Sequence, residues 1–292
     1  MYARIFDALN YRKMLNWVPD HLFLKAAYRA RFGRKLDLKN PKTFNEKLQW
    51  MKLYNRNPLY TMMVDKYLVR EYVRKKLGEE YLIPLLGVWD DPDKIDFDKL
   101  PMQFVLKCNH NSGLGMCICK DKNKLDIAKV KNDLRKGLKQ DYYLTGREWP
   151  YKNVPRKIIA EKYMVDESGY ELKDYKYYCF DGKVRIVMIN LDRMSSLETK
   201  ANYFDEYYQP LDFVWGYKNA QIPPTKPEKF EEMKCLAEKL SEGIPHVRID
   251  FYQTPQGIFF GEMTFFDGSG FDVIEPIEWD YKIGSWINLP RK

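Results

Sequence analysis

The sequence predicts an α+β fold built on antiparallel sheets. Runs rich in β-branched and aromatic residues are joined by tight turns, as at Asp181-Gly182 and Gln253–Gly257, and connections that short join antiparallel neighbours. Segments of helical periodicity are mixed among these hairpins without the regular strand–helix alternation of a doubly wound sheet. At 292 residues, 45% apolar and 15% aromatic, the chain has room for one large domain or a few small ones, and material for real cores.

The elements follow in order. Met1–Phe32 places Ile5, Leu9, Met14, Leu15, Leu22, Leu24 and Ala27 at helical spacing. Pro19 divides it into two helices, and Asp20 is the expected cap of the second. Leu38–Asn45 is a linker in which Thr43 and Glu46 form a capping box, so Glu46–Tyr54 is expected to be helical. Tyr60–Leu77 reads as one amphipathic helix, containing Lys66 and ending at Gly78. A strand over Tyr81–Leu86 and an irregular acidic segment over Gly87–Leu100 come next. Phe104–Cys108 and Met116–Cys119 are strands around the glycine loop Asn109–Gly115. Asp126–Lys139 is helical, Lys157–Met164 is a strand, and Asp174–Asn190 is a hairpin. Leu191–Asp212 reads as a loop and Glu228–Glu242 as a helix behind the prolines of Pro223–Pro227. Val247–Tyr252 and Ile258–Phe265 close the series as a hairpin.

The charge is +8, which suits an anionic partner. The basic residues are dispersed, with small clusters only at Arg74-Lys75-Lys76 and Lys120–Lys124, and no nucleic-acid-binding module is present. Nucleic acid is therefore set aside. No run approaches the roughly 18 apolar residues of a membrane span. The N-terminal stretch is broken by charges and has no signal-peptide core, so a cytoplasmic location is expected. Arg12, Lys13 and Trp17 among apolar residues leave open a peripheral membrane contact beside plain docking of these helices on the body. Five cysteines without a C-x-x-C pair predict reduced thiols.

Two stretches can carry chemistry. In the last hairpin a five-residue loop pairs Asp250 with Phe260 and Arg248 with Glu262. It places Arg248, Asp250, Tyr252, Phe260, Glu262 and Thr264 on one face. Asp250 and Glu262 are then diagonal neighbours able to converge on a cation, ahead of the glycine-rich exit Asp267-Gly268-Ser269-Gly270. The second stretch is the loop after Lys107, where Asn111, Ser112, Gly113 and Gly115 let backbone N–H groups approach phosphate oxygens. It lacks the G-K-[ST] of a Walker loop and leads into a strand. The aromatic segments Tyr203–Tyr208 and Phe213–Tyr217 are read as core, with a sugar groove as the alternative. His110 is read as structural, with a phosphate contact from within the glycine loop as the alternative.

In combination, the blocks NPKTFNEKLQWMKLY, DKYLVREYV, FVLKCNHNSG, EKYM, DYKYYCFDGKV and VRIDFY…FGEMTFFDGSGF resemble the ATP-grasp superfamily, and within it the TupA-like branch found in loci for capsular and teichuronopeptide-type polysaccharides. The resemblance implies two α+β lobes clasping ATP: residues 60–164 with the glycine loop, and 165–292 with the metal-binding hairpin. Residues 1–59 form an N-terminal helical region. Carried over by position, it implies phosphate contacts from Lys66 and Lys107, and a glycine loop that closes over ATP. It implies adenine and ribose contacts from Glu161, Lys162, Tyr163 and Met164. Mg2+ falls to Asp250 and Glu262, with Thr264 standing where the family has asparagine. Arg248 faces the phosphate that moves, and Asp174 and Lys176 lie near the phosphates, Lys176 in a catalytic role. The implied activity is carboxylate–amine ligation through an acyl phosphate, joining a carboxylate-bearing sugar to an amine or amino acid. Two rivals are a glycosyltransferase using the D-x-D of Asp91-Pro92-Asp93, and a member that binds ATP without catalysis.

Overall fold

A computed structural model describes residues 2–169, 171–191 and 199–290. Two antiparallel sheets dominate it. The four-stranded sheet is formed by β1 (Leu85–Trp89), β2 (Phe104–Cys108), β3 (Met116–Cys119) and β4 (Ile158–Lys162), in the order β1-β4-β2-β3. The five-stranded sheet is formed by β5 (Asp174–Phe180), β6 (Lys183–Leu191), β7 (Lys200–Phe204), β9 (His246–Thr254) and β10 (Gly257–Thr264), in the order β10-β9-β5-β6-β7. A small ribbon pairs β8 (Val214–Trp215) with β11 (Ile274–Glu275). The larger core lies on both faces of the five-stranded sheet: α3 (Phe44–Tyr54) packs on the face of Phe180 and His246, and α8 (Phe230–Leu240) on the face of Tyr177 and Cys179. The smaller core joins the four-stranded sheet to α6 (Ile127–Leu138) through Phe104, Leu106, Val130 and Leu134. A third cluster centred on Phe23, Leu24 and Tyr28 sits under α1 (Tyr2–Tyr11) and α2 (Asp20–Phe32).

The α3 helix starts at the predicted capping box: the Glu46 N–H donates to Thr43 Oγ1 (3.2 Å) and the Thr43 N–H to Glu46 Oε2 (3.1 Å). Phe44, Leu48 and Met51 enter the larger core. A second, polar stripe runs beside them at i, i+4 and i+7, and it too is buried. Asn45 donates to the Asp272 carbonyl (3.1 Å), Gln49 to the Gly270 carbonyl (2.8 Å), and Lys52 to the Ser269 and Gly146 carbonyls (both 2.7 Å). This stripe grips the turn that follows β10. Gly270 has φ +63, and a Cβ there would come within 2.9 Å of Leu48, so the close approach requires glycine.

Several expectations are corrected. The helix expected over Tyr60–Leu77 is two, α4 (Leu59–Val64) and α5 (Val69–Lys76). Asp65 Oδ1 takes the Tyr67 and Leu68 N–H groups (2.8 and 3.2 Å), an arrangement that competes with helix continuation, so Lys66 sits in a turn. The strand expected over Tyr81–Leu86 lies later, at Leu85–Trp89, within the segment read as irregular. The loop expected over Leu191–Asp212 contains β7, which completes the sheet edge against β6; residues 192–198 of it lie outside the described residues. Pro19, not Asp20, precedes α2 as its cap residue, and Asp20 takes a hydrogen bond from Tyr143 OH.

The last hairpin is also corrected. Its loop is two residues, Pro255-Gln256, because Thr254 pairs with Gly257. The register then shifts between Phe260 and Glu262, leaving Gly261 as an extra residue. Asp250 and Glu262 therefore stand directly opposite each other, Thr264 opposes Arg248, and Phe260 turns into the core against Phe251. A glycine inside a strand is the sequence signal for such a bulge.

Two predictions follow from the core. His246 is fully buried among Phe44, Phe180 and Tyr178, with Nδ1 bonded to the Cys179 carbonyl (3.0 Å) and Nε2 unpaired. Burial pushes its imidazole down from 6.5 to about 4, against the Cys179 hydrogen bond. A depressed pKa means that the stability it contributes is present above pH 6.5 and is lost as pH falls towards 4. Urea unfolding should show wild type losing about 3 kcal/mol more than His246→Phe across this window; parallel curves would refute the assignment. Burial pushes the Lys52 ammonium down to about 7, with Glu148 opposing. Lys52→Met strands the carbonyls it serves and should cost on the order of 3 kcal/mol in the same assay; a loss below about 1 kcal/mol would show that the grip is dispensable.

Candidate active site

The two sheets face each other across a cavity of about 430 Å3. Lys66, Lys107, Asn111, Ser112 and Gly113 line one side, and Asp174, Lys176, Arg248, Asp250 and Glu262 line the other. The register places the latter set: β5 pairs with β9 so that Lys176 lies opposite Asp250, and β9 pairs with β10 so that Asp250 lies opposite Glu262.

Arg248 is the hub of that wall. Its Nε donates to Asp250 Oδ1 (2.7 Å), its Nη2 to Asp250 Oδ2 (2.9 Å) and Glu262 Oε1 (2.8 Å), and its Nη1 to Asp267. Lys176 Nζ bonds Asp250 Oδ2 (2.6 Å) and Asp174. Burial works against the charge of Glu262, but Lys66 and Arg248 outweigh it and hold the carboxyl at about 2. It is therefore ionised at neutral pH. Asp250, Lys176 and Arg248 are all nearly inaccessible to solvent, and buried charges of this kind persist only when paired.

On the opposite wall Lys66 Nζ donates to the Asn111 carbonyl (2.7 Å) and lies 3.9 Å from Glu262. Burial pushes its ammonium down, with Glu262 opposing. Lys107 bonds Glu161 (2.6 Å). The base of the glycine loop is pinned: Asn109 takes the Lys157 N–H (2.7 Å) and donates to Asp65 (2.8 Å), and Asn111 donates to Gln140 (2.9 Å). Its tip, Ser112-Gly113-Leu114, is exposed. Gly115 does not line the cleft. It packs on α6, where a Cβ would come within 2.9 Å of the Gly137 Cα.

A second cavity of about 400 Å3 adjoins the first through Lys107, Met116 and Tyr252. Glu161, Lys162, Tyr163 and Met164 line it with Ile83, Val105, Ile118 and Leu172. An apolar slot leading into a lysine-lined cleft suits a flat base carrying phosphates.

Asp250 and Glu262 both contact the same Arg248 nitrogen, so their oxygens are close enough to share one cation. Hard carboxylate oxygens suit Mg2+, which commonly takes one or two carboxylates and completes its shell with phosphate and water. Thr264 does not line the cavity, but its hydroxyl is 3.4 Å from Glu262 Oε1. Among the described residues no group of three His, Cys, Asp or Glu forms a ligand set.

Sequence reasoning left out Asp272 and Asn190, named Asp267 only as part of the glycine-rich exit, and took Trp215 and Tyr217 as core with a sugar groove as the alternative; all five line the cleft. Asp267 opens the glycine-rich exit, which was a usable signal. Asn190 and Asp272 carried none. The aromatic residues Tyr203 and Trp215 serve both readings, buried in the core and bordering the cavity. His110 lies outside the cleft, bonded to the Gln140 carbonyl (3.1 Å). Asp91 caps a turn and Asp93 is held by Lys131 (3.3 Å) and Arg135, so the D-x-D also lies outside it.

Among curated proteins no relative matches the chain. Solved structures resemble it only distantly. The D-alanine–D-alanine ligase from Bacillus anthracis complexed with ATP shares 16% identity, over 70% of this chain and 54% of that one, at a TM-score of 0.41. The D-alanine–D-alanine ligase from Helicobacter pylori shares 13% over 85% and 70%, at 0.45. The biotin carboxylase domain of the Hydrogenobacter thermophilus 2-oxoglutarate carboxylase shares 17% over 79% and 47%, at 0.43. The chain thus spans about half the length of the first of these. The TupA-like ATP-grasp family matches residues 46–288, from the capped α3 helix to the end of α9 (Ile277–Ser285) and beyond, and the chain belongs to that family.

Proposed function

We propose that the protein is an ATP- and Mg2+-dependent carboxylate–amine ligase working through an acyl phosphate. In this reading it amidates a uronic acid, or attaches an amino acid to a carboxylate-bearing sugar, during surface-polysaccharide synthesis. The observation that carries it is the opposition of two walls. Lys66, Lys107 and the glycine loop face Arg248, Asp250 and Glu262 across one cleft, with an apolar slot at its side.

The reaction must bring a phosphate chain beside a carboxylate, and their repulsion is the obstacle. Lys66 and Lys107 offset charge on the phosphates, and the amides of Ser112 and Gly113 approach their oxygens. Asp250 and Glu262 would hold Mg2+, with Thr264 at the edge, and the ion supplies charge neutralisation at the transferring phosphate. Arg248, held by Asp250, Glu262 and Asp267, would present its planar guanidinium to the phosphate that moves. Lys176, between Asp174 and Asp250, keeps the carboxylates in place and faces the same phosphates. Glu161–Met164 hold the base and ribose. Closure of the exposed loop tip excludes water from a hydrolysable intermediate.

The test is ADP release by the purified chain with ATP, Mg2+ and a panel of uronic acids against amines. Turnover is expected with at least one pair. Asp250→Ala should lower it on the order of 100-fold, and Lys107→Ala should weaken ATP binding about tenfold. Absence of turnover with every pair, together with unchanged ATP affinity in both variants, would refute the ligase reading.

The same polysaccharide setting motivates a membrane partner. We infer that α1 and the turn after it rest on an anionic membrane face, on the cytoplasmic side. α1 buries no residue, and Tyr11 and Trp17 are 90% and 81% exposed beside Arg12 and Lys13. Among the described residues no helix is long and apolar enough to cross a membrane, so the contact would be peripheral. The chain should co-sediment with vesicles containing about 30% anionic lipid and not with neutral ones. Tyr11→Ala with Trp17→Ala should abolish this; unchanged sedimentation would exclude the contact.

A further inference from the structure

The cleft has two distinct ends. At one, Lys107, Met116 and Tyr252 are shared with the apolar slot. At the other, Gly268 and Asp272 are shared with a third cavity beneath α1 and α2. Nucleotide chemistry accounts for the first end, and nothing in it uses the second.

That second end is lined by Trp215, Tyr217 and Asp272, with Tyr203 stacked on Trp215. The Asp272 carboxylate fits a cradle of two glycines: a Cβ on Gly268 would overlap it, and one on Gly216 would come within 3.4 Å. It has no hydrogen-bond or ion-pair partner among the described residues. Arg248, which also lines the cleft, is already shared among Asp250, Glu262 and Asp267. Arg31 faces Asp272 from the third cavity but is bonded to Asp7 (2.9 Å). Asn190 lies elsewhere on the wall, beside Asp174 in the strand register, and its side-chain carbonyl has no partner among the described residues. An unpaired carboxylate beside aromatic faces is a recognition set for a primary ammonium group.

We propose that this end of the cleft is the subsite for the amine substrate. It enters as an ammonium, bonded by Asp272 against Trp215 and Tyr217. This rests on the ligase reading. Burial and the neighbouring Asp267 push the Asp272 carboxyl up to about 6, with Arg31 opposing, so it is ionised at neutral pH yet basic enough to take a proton. In the coupling step one ammonium proton passes to Asp272. The freed lone pair attacks the acyl carbon, the C–N bond forms, and the C–O bond to phosphate breaks. Phosphate leaves with that electron pair and takes the second proton lost by nitrogen.

The experiment is calorimetric titration of the full chain, with a non-hydrolysable ATP analogue and Mg2+, using glucosamine, putrescine, glycinamide and lysine methyl ester against their N-acetylated forms. At least one free amine should bind wild type, and its acetylated form should not. Asp272→Asn should weaken that binding on the order of tenfold while leaving the affinity for the ATP analogue unchanged. Tyr217→Leu, on the rim, should weaken it about threefold and gives a second reading should the first variant fold poorly. Failure of every amine to bind wild type, or equal binding by both variants, would overturn the subsite. Hydroxylamine, neutral at pH 7, reads the ligase function separately. Hydroxamate formation retained in Asp272→Asn, with amine coupling lost, supports the subsite. Absence of hydroxamate from wild type while amine binding still depends on Asp272 sinks the ligase reading and leaves the subsite standing.

Discussion

Arg248 divides one buried guanidinium among three carboxylates, Asp250, Glu262 and Asp267, and each sits on a different stretch of chain. Burying so many charges is tolerable only if none is left alone. Meeting that condition accounts for much of the local architecture. The bulge at Gly261 brings Glu262 directly opposite Asp250. The positive-φ glycines after β10 let the chain turn back so that Asp267 reaches Arg248, while Tyr178 bonds its other oxygen (2.7 Å). The polar stripe of α3 then holds the carbonyls of that turn. The α3 helix thus positions a residue of the C-terminal wall without itself lining the cleft.

The two walls are built on different principles. The Arg248 wall is rigid: its side chains leave buried strands, and their hydrogen bonds run between neighbouring register pairs. The Lys66 wall is made of turns. Lys66 sits where Asp65 interrupts a helix, and its backbone N–H donates to the Asn109 carbonyl (3.0 Å). Asn109 also ties that break to the segment before β4. A fixed wall facing a turn-built wall with an exposed tip is an arrangement that can open for a nucleotide and close on it.

The parts legible in the sequence were those set by local chemistry. Strands β2 and β3, the capping box of α3 and the turn at Asp181-Gly182 depend on residues close in sequence, and periodicity and turn signals identify them. The members of the cleft that stood in recognisable blocks were also found, because charged residues in an apolar strand are conspicuous. What escaped was decided by partners far along the chain. The break at Asp65 is stabilised by Asn109. β7 forms because β6 offers it an edge, although its own sequence reads as a loop. Asp272 becomes significant only when the turn after β10 packs against the β8 segment, where its carboxylate lies beside Gly216 and Gly268. The hairpin register failed for a different reason: the loop is two residues rather than five, which turns Phe260 to the core, and the bulge at Gly261 then returns Glu262 and Thr264 to the face of Asp250 and Arg248.

The contact between Gly115 and Gly137 carries a consequence for how this chain can diverge. Neither position has a side chain to adjust, and either Cβ would collide with the other backbone. Mutations at the two sites are therefore not independent. A side chain at Gly137 displaces α6, and one at Gly115 lifts the base of the loop. In both cases the error reaches the loop through the main chain, where no neighbouring rotamer can absorb it. The pair behaves as one inherited character written at two places, and relatives that abandon it must have re-docked the helix and the loop together.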